Sequence, residues 1–355
     1  MKKRIFVFLK AAFLAAFCIL CVLLLTAEPE VFSQGIKNAL LNIGGVLLPT
    51  LFPFMVLAFF IEKSGVAVFL GKIFSPVTRF VFRLPEECSA AILMSFIGGY
   101  PVGAKMTDEL LSKKYITSSQ AARMYLFCVN AGPAFAISAV GANMLGSLKA
   151  GVVLFVSSVL SSVLIGVSSA VILTKEIPGK SRLFSAAADK PVYSAFVSAS
   201  NDAVKGMLSI SAYVMIFSSL CRALESVTRS QKLLCFEMSL LEVTNGAFYL
   251  SKSFSLPVLA AAISFGGLCV HFQVMSCVVK SRLKIRQFFA SRVVSAALSA
   301  AICHLILCVF PLEKSVISSL EEKIVLPYSV SLPCCVAFLI MSLSLILDIA
   351  PKKKV

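Results

Sequence analysis

Apolar runs of about twenty residues recur along the whole chain, separated by short stretches in which Lys and Arg outnumber Asp and Glu. A helix of that length crosses a hydrocarbon core of about 30 Å. The pattern predicts spans at 5–26, 38–61, 117–145, 150–174, 201–221, 255–279, 293–311 and 329–348. Two further apolar pieces, 88–111 and 236–251, are interrupted after about ten residues, too short to cross, and are expected as re-entrant hairpins. The stretch 65–84 is short and mixed, and is read as interfacial.

The interruptions carry the most information. In Ser95-Phe96-Ile97-Gly98-Gly99-Tyr100-Pro101-Val102-Gly103-Ala104-Lys105, three glycines and a proline stop an apolar helix and a lysine follows. Irregular backbone at membrane depth is tolerated only where it is buried in protein or lines a cavity, so a break of this kind is a candidate site. Asn130-Ala131-Gly132-Pro133 breaks 117–145 near its middle, and Glu242-Val243-Thr244-Asn245-Gly246 breaks the second hairpin. Pro49 and Pro53 predict a kink in 38–61, and Thr117-Ser118-Ser119-Gln120 has the spacing of a helix-starting capping box.

Charge orients the chain. Of its 355 residues, 59% are hydrophobic and 14% charged, and the mean hydropathy is +0.94. The net charge of +16 sits between apolar runs, as positive-inside orientation requires, and no basic stripe with interleaved aromatics suggests nucleic acid. Basic stretches at Lys2–Lys10, Lys63–Arg83, Lys105–Lys114, Lys175–Lys190, Lys280–Arg292 and Lys352–Lys354 are all cytoplasmic in this arrangement, with Arg123 at the cytoplasmic end of its span. Both termini are then cytoplasmic. The start, Met1-Lys2-Lys3-Arg4 before an apolar run, has the shape of a signal peptide but no convincing small-residue cleavage site, and is read as a retained first span. The 12 cysteines lie mostly in apolar runs and behave as small hydrophobes; Cys334-Cys335 and the separated His271 and His304 do not make a metal site.

Ser95-Phe96-Ile97-Gly98-Gly99 is echoed by Ser264-Phe265-Gly266-Gly267, and the number of crossings between them inverts the second half. The expected organisation is an N-terminal anchor (1–37), a first repeat (38–190) with a cytoplasmic hairpin at 88–111, a second, inverted repeat (191–300) with an external hairpin at 236–251, and a C-terminal region (301–355) ending in a basic tail. The fold class is all-α: a polytopic membrane protein of about eight transmembrane helices and two re-entrant hairpins in two inverted-topology repeats, the architecture of a transporter with a midplane site. The alternative is that the Gly-Gly pairs only let helices pack closely.

Polar residues at membrane depth are costly and mark candidates. Lys105, just past the glycine break, is suited to a carboxylate ligand or to snorkelling at the interface. Gly98, Gly99, Gly103, Gly266 and Gly267 bring backbone close to a ligand, and Tyr100 can stack on a planar one or fill space. Glu242, Thr244 and Asn245 form a polar hairpin tip that could hold a sodium ion, a proton or a substrate, or form a solvated turn. Asn130 either binds a ligand or satisfies carbonyls freed by its break, and His271 and Gln273 follow the second glycine pair. Asp202 and Lys205, three apart on one helix, suit an ion pair near the cytoplasmic mouth or a site role. No P-loop, His-Glu-x-x-His or Gly-x-Ser-x-Gly set is present, so neither enzyme activity nor a resident metal or cofactor is expected, apart from a coupling Na+ or H+.

The GGYPVGAK block at 98–105, Ile116-Thr117, Asn130-Ala131-Gly132-Pro133-Ala134-Phe135, Glu242–Gly246 and Ser264–Gly267 resemble the YlbJ-type sporulation integral membrane proteins, which carry nucleoside-recognition, or Gate, domains. The resemblance covers roughly 38–300 and extends to concentrative nucleoside transporters. It implies a role in endospore formation at the mother-cell or outer forespore membrane, with dipicolinic acid as the solute moved toward the forespore by alternating access. An ion-coupled nucleoside transporter, or a non-transporting scaffold for spore envelope assembly, is the alternative. The implied partners are the lipid bilayer, a small anionic or nucleoside-like solute, further copies of the chain or other sporulation membrane proteins, and no nucleic acid.

Overall fold

The computed structural model describes residues 2–173, 191–278 and 284–312. The expected span at 329–348, the basic loop at 175–190, Lys280, Arg282 and the lysine tail lie outside the described residues. Those that are described are mostly helical, with no strand among them. The chain is an all-helical, multi-pass membrane protein, and among the described residues five helices or helix pairs are long and apolar enough to cross a bilayer.

The first helix, α1 (Lys2–Ala27), covers the stretch expected as the first span but is not one of the five. Next, α2 (Pro29–Asn42) runs through a π-helical turn, Ile43–Leu47, into α3 (Leu48–Lys63). Together they make one 35-residue helix, Pro29–Lys63, much longer than the expected 38–61. The π turn lies just before Pro49 and Pro53, where proline disturbs the i→i−4 ladder. The amphipathic α4 (Val66–Phe80) follows, with Ala67, Gly71 and Thr78 buried and Phe69, Ile73 and Phe80 on its outer face. Its inner face packs on α5 (Cys88–Gly98), with Gly71 against Ala90.

Helices α5 and α6 (Val102–Ser112) form the first hairpin where the sequence predicts it. Then α7 (Ser118–Phe127) starts on the expected capping box: Thr117 Oγ1 accepts from Gln120 N at 3.3 Å, and Thr117 N donates to the Gln120 side chain at 2.8 Å. The stretch expected as one span, 117–145, is two pieces, since irregular backbone at 128–132 separates α7 from a π-helix, Ala134–Met144. The first half closes with α8 (Leu148–Leu173).

The second half opens with α9 (Val192–Val227), 36 residues where the sequence suggests 201–221. Asp202 and Lys205 therefore lie inside the helix and not at its start. The second hairpin is α10 (Gln231–Leu241) and α11 (Val243–Ser253), turning at Glu242. A broken helix, α12 (Leu256–Phe265) and α13 (Gly267–Cys277), replaces the continuous span expected at 255–279. Last is α14 (Ile285–Val309), which begins eight residues before the expected 293.

On α8 and α14 part of the burial runs opposite to that of a water-soluble core. Along α8, Val152, Val156, Leu160 and Leu164 are exposed, whereas Ser157, Ser158, Ser161 and Ser162 are buried. Helix α14 buries Ser291, Ser295, Ser299 and Cys303, four apart on one face, and Ser161 Oγ donates to Ser295 O at 2.9 Å. Small and hydroxylated residues inside with large aliphatic ones outside is the arrangement lipid favours, because apolar surface gains nothing by leaving hydrocarbon and small residues let helices approach.

The order of elements repeats. Each half has a long helix, a hairpin, a broken helix and a closing helix: α2–α3, α5–α6, α7 with the π-helix, and α8, then α9, α10–α11, α12–α13 and α14. In that order Gly98-Gly99 belongs to a hairpin tip and Gly266-Gly267 to a broken helix, so the two stretches that echo in sequence do not occupy corresponding places.

Candidate functional site

Three of the four interruptions line one cavity; the fourth, Gly266-Gly267, is off its wall, and only the helix that follows it reaches the cavity. A small cavity of about 50 Å³ is lined by Gly98, Gly99 and Tyr100 from the first hairpin tip, Gly132 from the first broken helix, and Glu242 and Thr244 from the second hairpin. Val270 and Gln273 reach it from the second broken helix, and its apolar wall comes from α3, the π turn before it and α9. Of the residues on these walls, only Glu242 has an ionisable acid or base of ordinary charge.

Within each half the hairpin tip touches the break of the neighbouring helix. Gly99 has φ +68°, and a Cβ built on it would lie 2.5 Å from Gly132 N, so glycine is needed for both conformation and space. In the other half, Gly266 (φ +86°) and Gly267 (φ +67°) turn the chain beside the second hairpin: a Cβ on Gly267 would lie 3.2 Å from both Leu241 O and Val243 N. The Tyr100–Pro101 peptide is cis.

The freed backbone groups are satisfied in a reciprocal way. At the end of α12, the carbonyl of Ile263 accepts the hydroxyl of Tyr100, which belongs to the first half. At the end of α7, the carbonyls of Leu126 and Val129 accept the guanidinium of Arg292, which belongs to the second. Arg292 is only 1% exposed. The expectation that it belongs to a cytoplasmic basic loop is therefore corrected: it lies near the start of α14 and points into the protein. Its signal in the sequence is the neighbouring Ser291–Ser295–Ser299–Cys303 stripe, which marks the inward face. Arg123 is also buried and donates to Phe82 O and, at 3.1 Å, to Arg83 O, so it braces the chain after α4.

Glu242 closes the second tip by its side chain. Its two carboxylate oxygens accept Thr244 N at 2.9 Å and Asn245 N at 2.7 Å, capping the start of α11 where the helix dipole favours negative charge. The expected three-residue cluster is thus real as a contact set, but its geometry is a helix cap and not a solvated turn, for Glu242 is buried. Asn245 Nδ2 donates to Ser218 Oγ on α9 at 2.8 Å and does not line the cavity.

The other expected site residues divide. Asn130 is buried, donates from Nδ2 to Phe127 O at 2.9 Å and accepts Ser162 Oγ, so it satisfies the break beside it. Gly103 lies against the Cys128 carbonyl and Ser95, a packing position. His271 Nδ1 meets Gly267 O while the ring packs among Phe265, Phe288 and Phe289, outside the cavity wall. Gln273 does reach the cavity, with Nε2 3.4 Å from Cys269 Sγ.

Lys105 is the largest departure. Its ammonium lies 3.5 Å from Asp202 Oδ2 and 4.5 Å from the centroid of Phe59, away from the cavity wall. Lys63 reaches the same carboxylate oxygen at 3.2 Å. Asp202 therefore pairs across helices with Lys63 and Lys105, and the expected pairing within α9 with Lys205 is replaced. These side chains are partly open, 38% for Lys105 and 23% for Asp202.

Residues 45–148 match the Gate family, described as nucleoside recognition. That stretch holds the end of the π turn, α3 to α7 and the π-helix, and so supplies the first-half walls of the cavity. The chain is also similar to the sporulation integral membrane protein YlbJ of Bacillus subtilis (strain 168), at 23% identity over 82% of this chain and 82% of that protein. No solved structure matches the chain.

Proposed function

We propose that the chain is a secondary transporter in which the central cavity binds a small, planar, nucleoside-like solute. The observation that carries this is the convergence of both hairpin tips and both broken helices on one cavity, together with the Gate match over its first-half walls. The polar lining is a carboxylate, a hydroxyl, an amide and backbone groups, with no cation, and Tyr100 and Phe135 provide flat apolar surface. Such a lining suits hydroxyl and amide donors better than a dicarboxylate.

At about 50 Å³ the cavity holds a few water molecules, whereas drug-sized ligands occupy pockets of roughly 300 Å³ or more. Loading therefore requires a hairpin to withdraw, which agrees with alternating access by two hairpins in inverted repeats. Glu242 is the natural place for a coupling Na+ or H+, since a buried carboxylate changes its hydrogen bonding when it is neutralised.

Dipicolinate is the second reading, and the observation that favours it is the similarity to a protein named for sporulation. It requires Lys105 to leave Asp202 and face the solute. Flux of radiolabelled uridine and dipicolinate into vesicles containing the purified protein separates the two. Uridine uptake lost in Gln273→Ala is the expected result; vesicles that move neither solute refute the transporter reading.

A further inference from the structure

A second cavity, of about 400 Å³, lies at the base of the first hairpin, one helix length from the tip that forms the central cavity. Its walls are the end of α3, the inner face of α4, the start of α5 and the last turns of α6. Ala67, Val68, Ala90, Met106 and Leu110 make an aliphatic lining, with charged groups around it.

The charges are unevenly satisfied. Lys63 is paired with Asp202, and Lys113 Nζ lies 2.6 Å from Glu109 Oε1. Lys72 lies on the wall but is exposed, and Glu86 also contributes to it. Glu62 Oε2 and Glu87 Oε2, in contrast, are buried without a hydrogen-bond partner. Glu87 is only 9% exposed and stands at the N-cap position of α5 without making the cap bond. Lys63 and Lys105 lie close enough to Glu62 to offset its charge without a hydrogen bond to Oε2, whereas Glu87 has no such cation beside it among the described residues, and a buried carboxylate oxygen left without a donor is costly. Among the described residues no group of three His, Cys, Asp or Glu is arranged to hold a metal ion.

We propose that this cavity binds an aliphatic diammonium ligand, its two charged nitrogens held separately by Glu87 and Glu62 and its methylene chain by the Ala, Val, Met and Leu walls. The ligand bridges α3, α4 and the first hairpin, so it acts where the hairpin is anchored. This site is separate from the solute cavity, and its existence does not depend on which solute is moved.

Cadaverine is a suitable probe, titrated calorimetrically into the purified full-length protein in detergent, with 1,5-pentanediol and magnesium chloride at matched ionic strength as controls. Saturable cadaverine binding is expected, weakened roughly tenfold or more in Glu87→Gln and in Glu62→Gln, with neither control producing it. Val68→Trp fills the cavity without altering a charge and should abolish the binding. Absence of cadaverine binding, equal binding of magnesium, or an affinity unchanged in Val68→Trp or in both Gln variants overturns the proposal. Because the readout is binding of an amine and not solute flux, a negative result here leaves the transport reading standing, and failed flux leaves this one standing.

Discussion

At the tip of α5–α6 the chain turns on Gly99, with its backbone pressed against Gly132, whereas at the tip of α10–α11 it turns on Glu242, whose carboxylate caps the next helix. Both tips answer one requirement: a helix that stops inside a membrane protein leaves N–H and C=O groups that water cannot reach. The first half meets it by removing side chains so that two backbones come together. The second meets it by adding an acceptor. The two solutions differ in what they leave for function, because glycine backbone is neutral and fixed while a carboxylate can change its charge and its partners.

The halves are also locked by an exchange of caps, unequal in strength. Arg292 reaches from the second half to two carbonyls of the first, and Tyr100 reaches back to one. Arg292→Leu removes a charged donor from both carbonyls, each costing about 1–3 kcal/mol when left unpaired, and should give the largest loss of thermal stability of any single change considered. Purified variants compared by unfolding midpoint in detergent check it. If Arg292→Leu loses no more than Tyr100→Phe, the asymmetry of the exchange is refuted. Tyr100→Phe itself should cost about 1 kcal/mol, the worth of one hydrogen bond.

Between these extremes lie the two tips. Gly99→Ala forces a Cβ toward Gly132 N in a left-handed conformation, and overpacking of that kind costs about 1–3 kcal/mol. Glu242→Ala removes a cap worth about 1–2 kcal/mol and also the only acidic group on the cavity wall. The comparison predicts a split between the two variants. Gly99→Ala should lower the unfolding midpoint and flux together, whereas Glu242→Gln, which keeps the shape and one acceptor oxygen, should retain most of the stability and lose ion or pH dependence of uptake. Uptake by Glu242→Gln with unchanged ion and pH dependence would remove the carboxylate from coupling.

How much of this could be read from sequence follows from how local each cause is. The breaks at Gly98–Pro101, Asn130–Pro133 and Glu242 were legible because Gly, Pro and a lone acid interrupt apolar runs, and helix continuity is decided within a turn or two. Helix ends were less so: α9 continues well before 201 because Ala195 and Ala199 are buried inside it, a packing fact with no local marker. Charged residues were the least legible. Arg292 sits among basic residues that flank a span, and only the stripe of small residues four apart distinguishes an inward guanidinium from a cytoplasmic one. The partner of Lys105 lies nearly a hundred positions away on α9, and nothing near residue 105 names it.

That last pair supplies the smallest expected effect on stability and a sharp test between the two proposed solutes. The Lys63–Asp202–Lys105 cluster is partly open to solvent, and ion pairs of that kind contribute about 0–1 kcal/mol. Lys105→Gln should therefore leave the unfolding midpoint nearly unchanged. Its effect on ligand choice separates the two solutes. If the solute is neutral and nucleoside-like, Lys105 remains with Asp202 during binding, and uridine affinity in Lys105→Gln should stay within about twofold of the parent, a difference well under 1.4 kcal/mol. If the solute is a dicarboxylate, Lys105 must exchange Asp202 for it, and dipicolinate binding should fall at least tenfold in Lys105→Gln. In that case Asp202→Asn, which frees the lysine, should strengthen dipicolinate binding, because the ammonium no longer has to give up a carboxylate to reach the ligand.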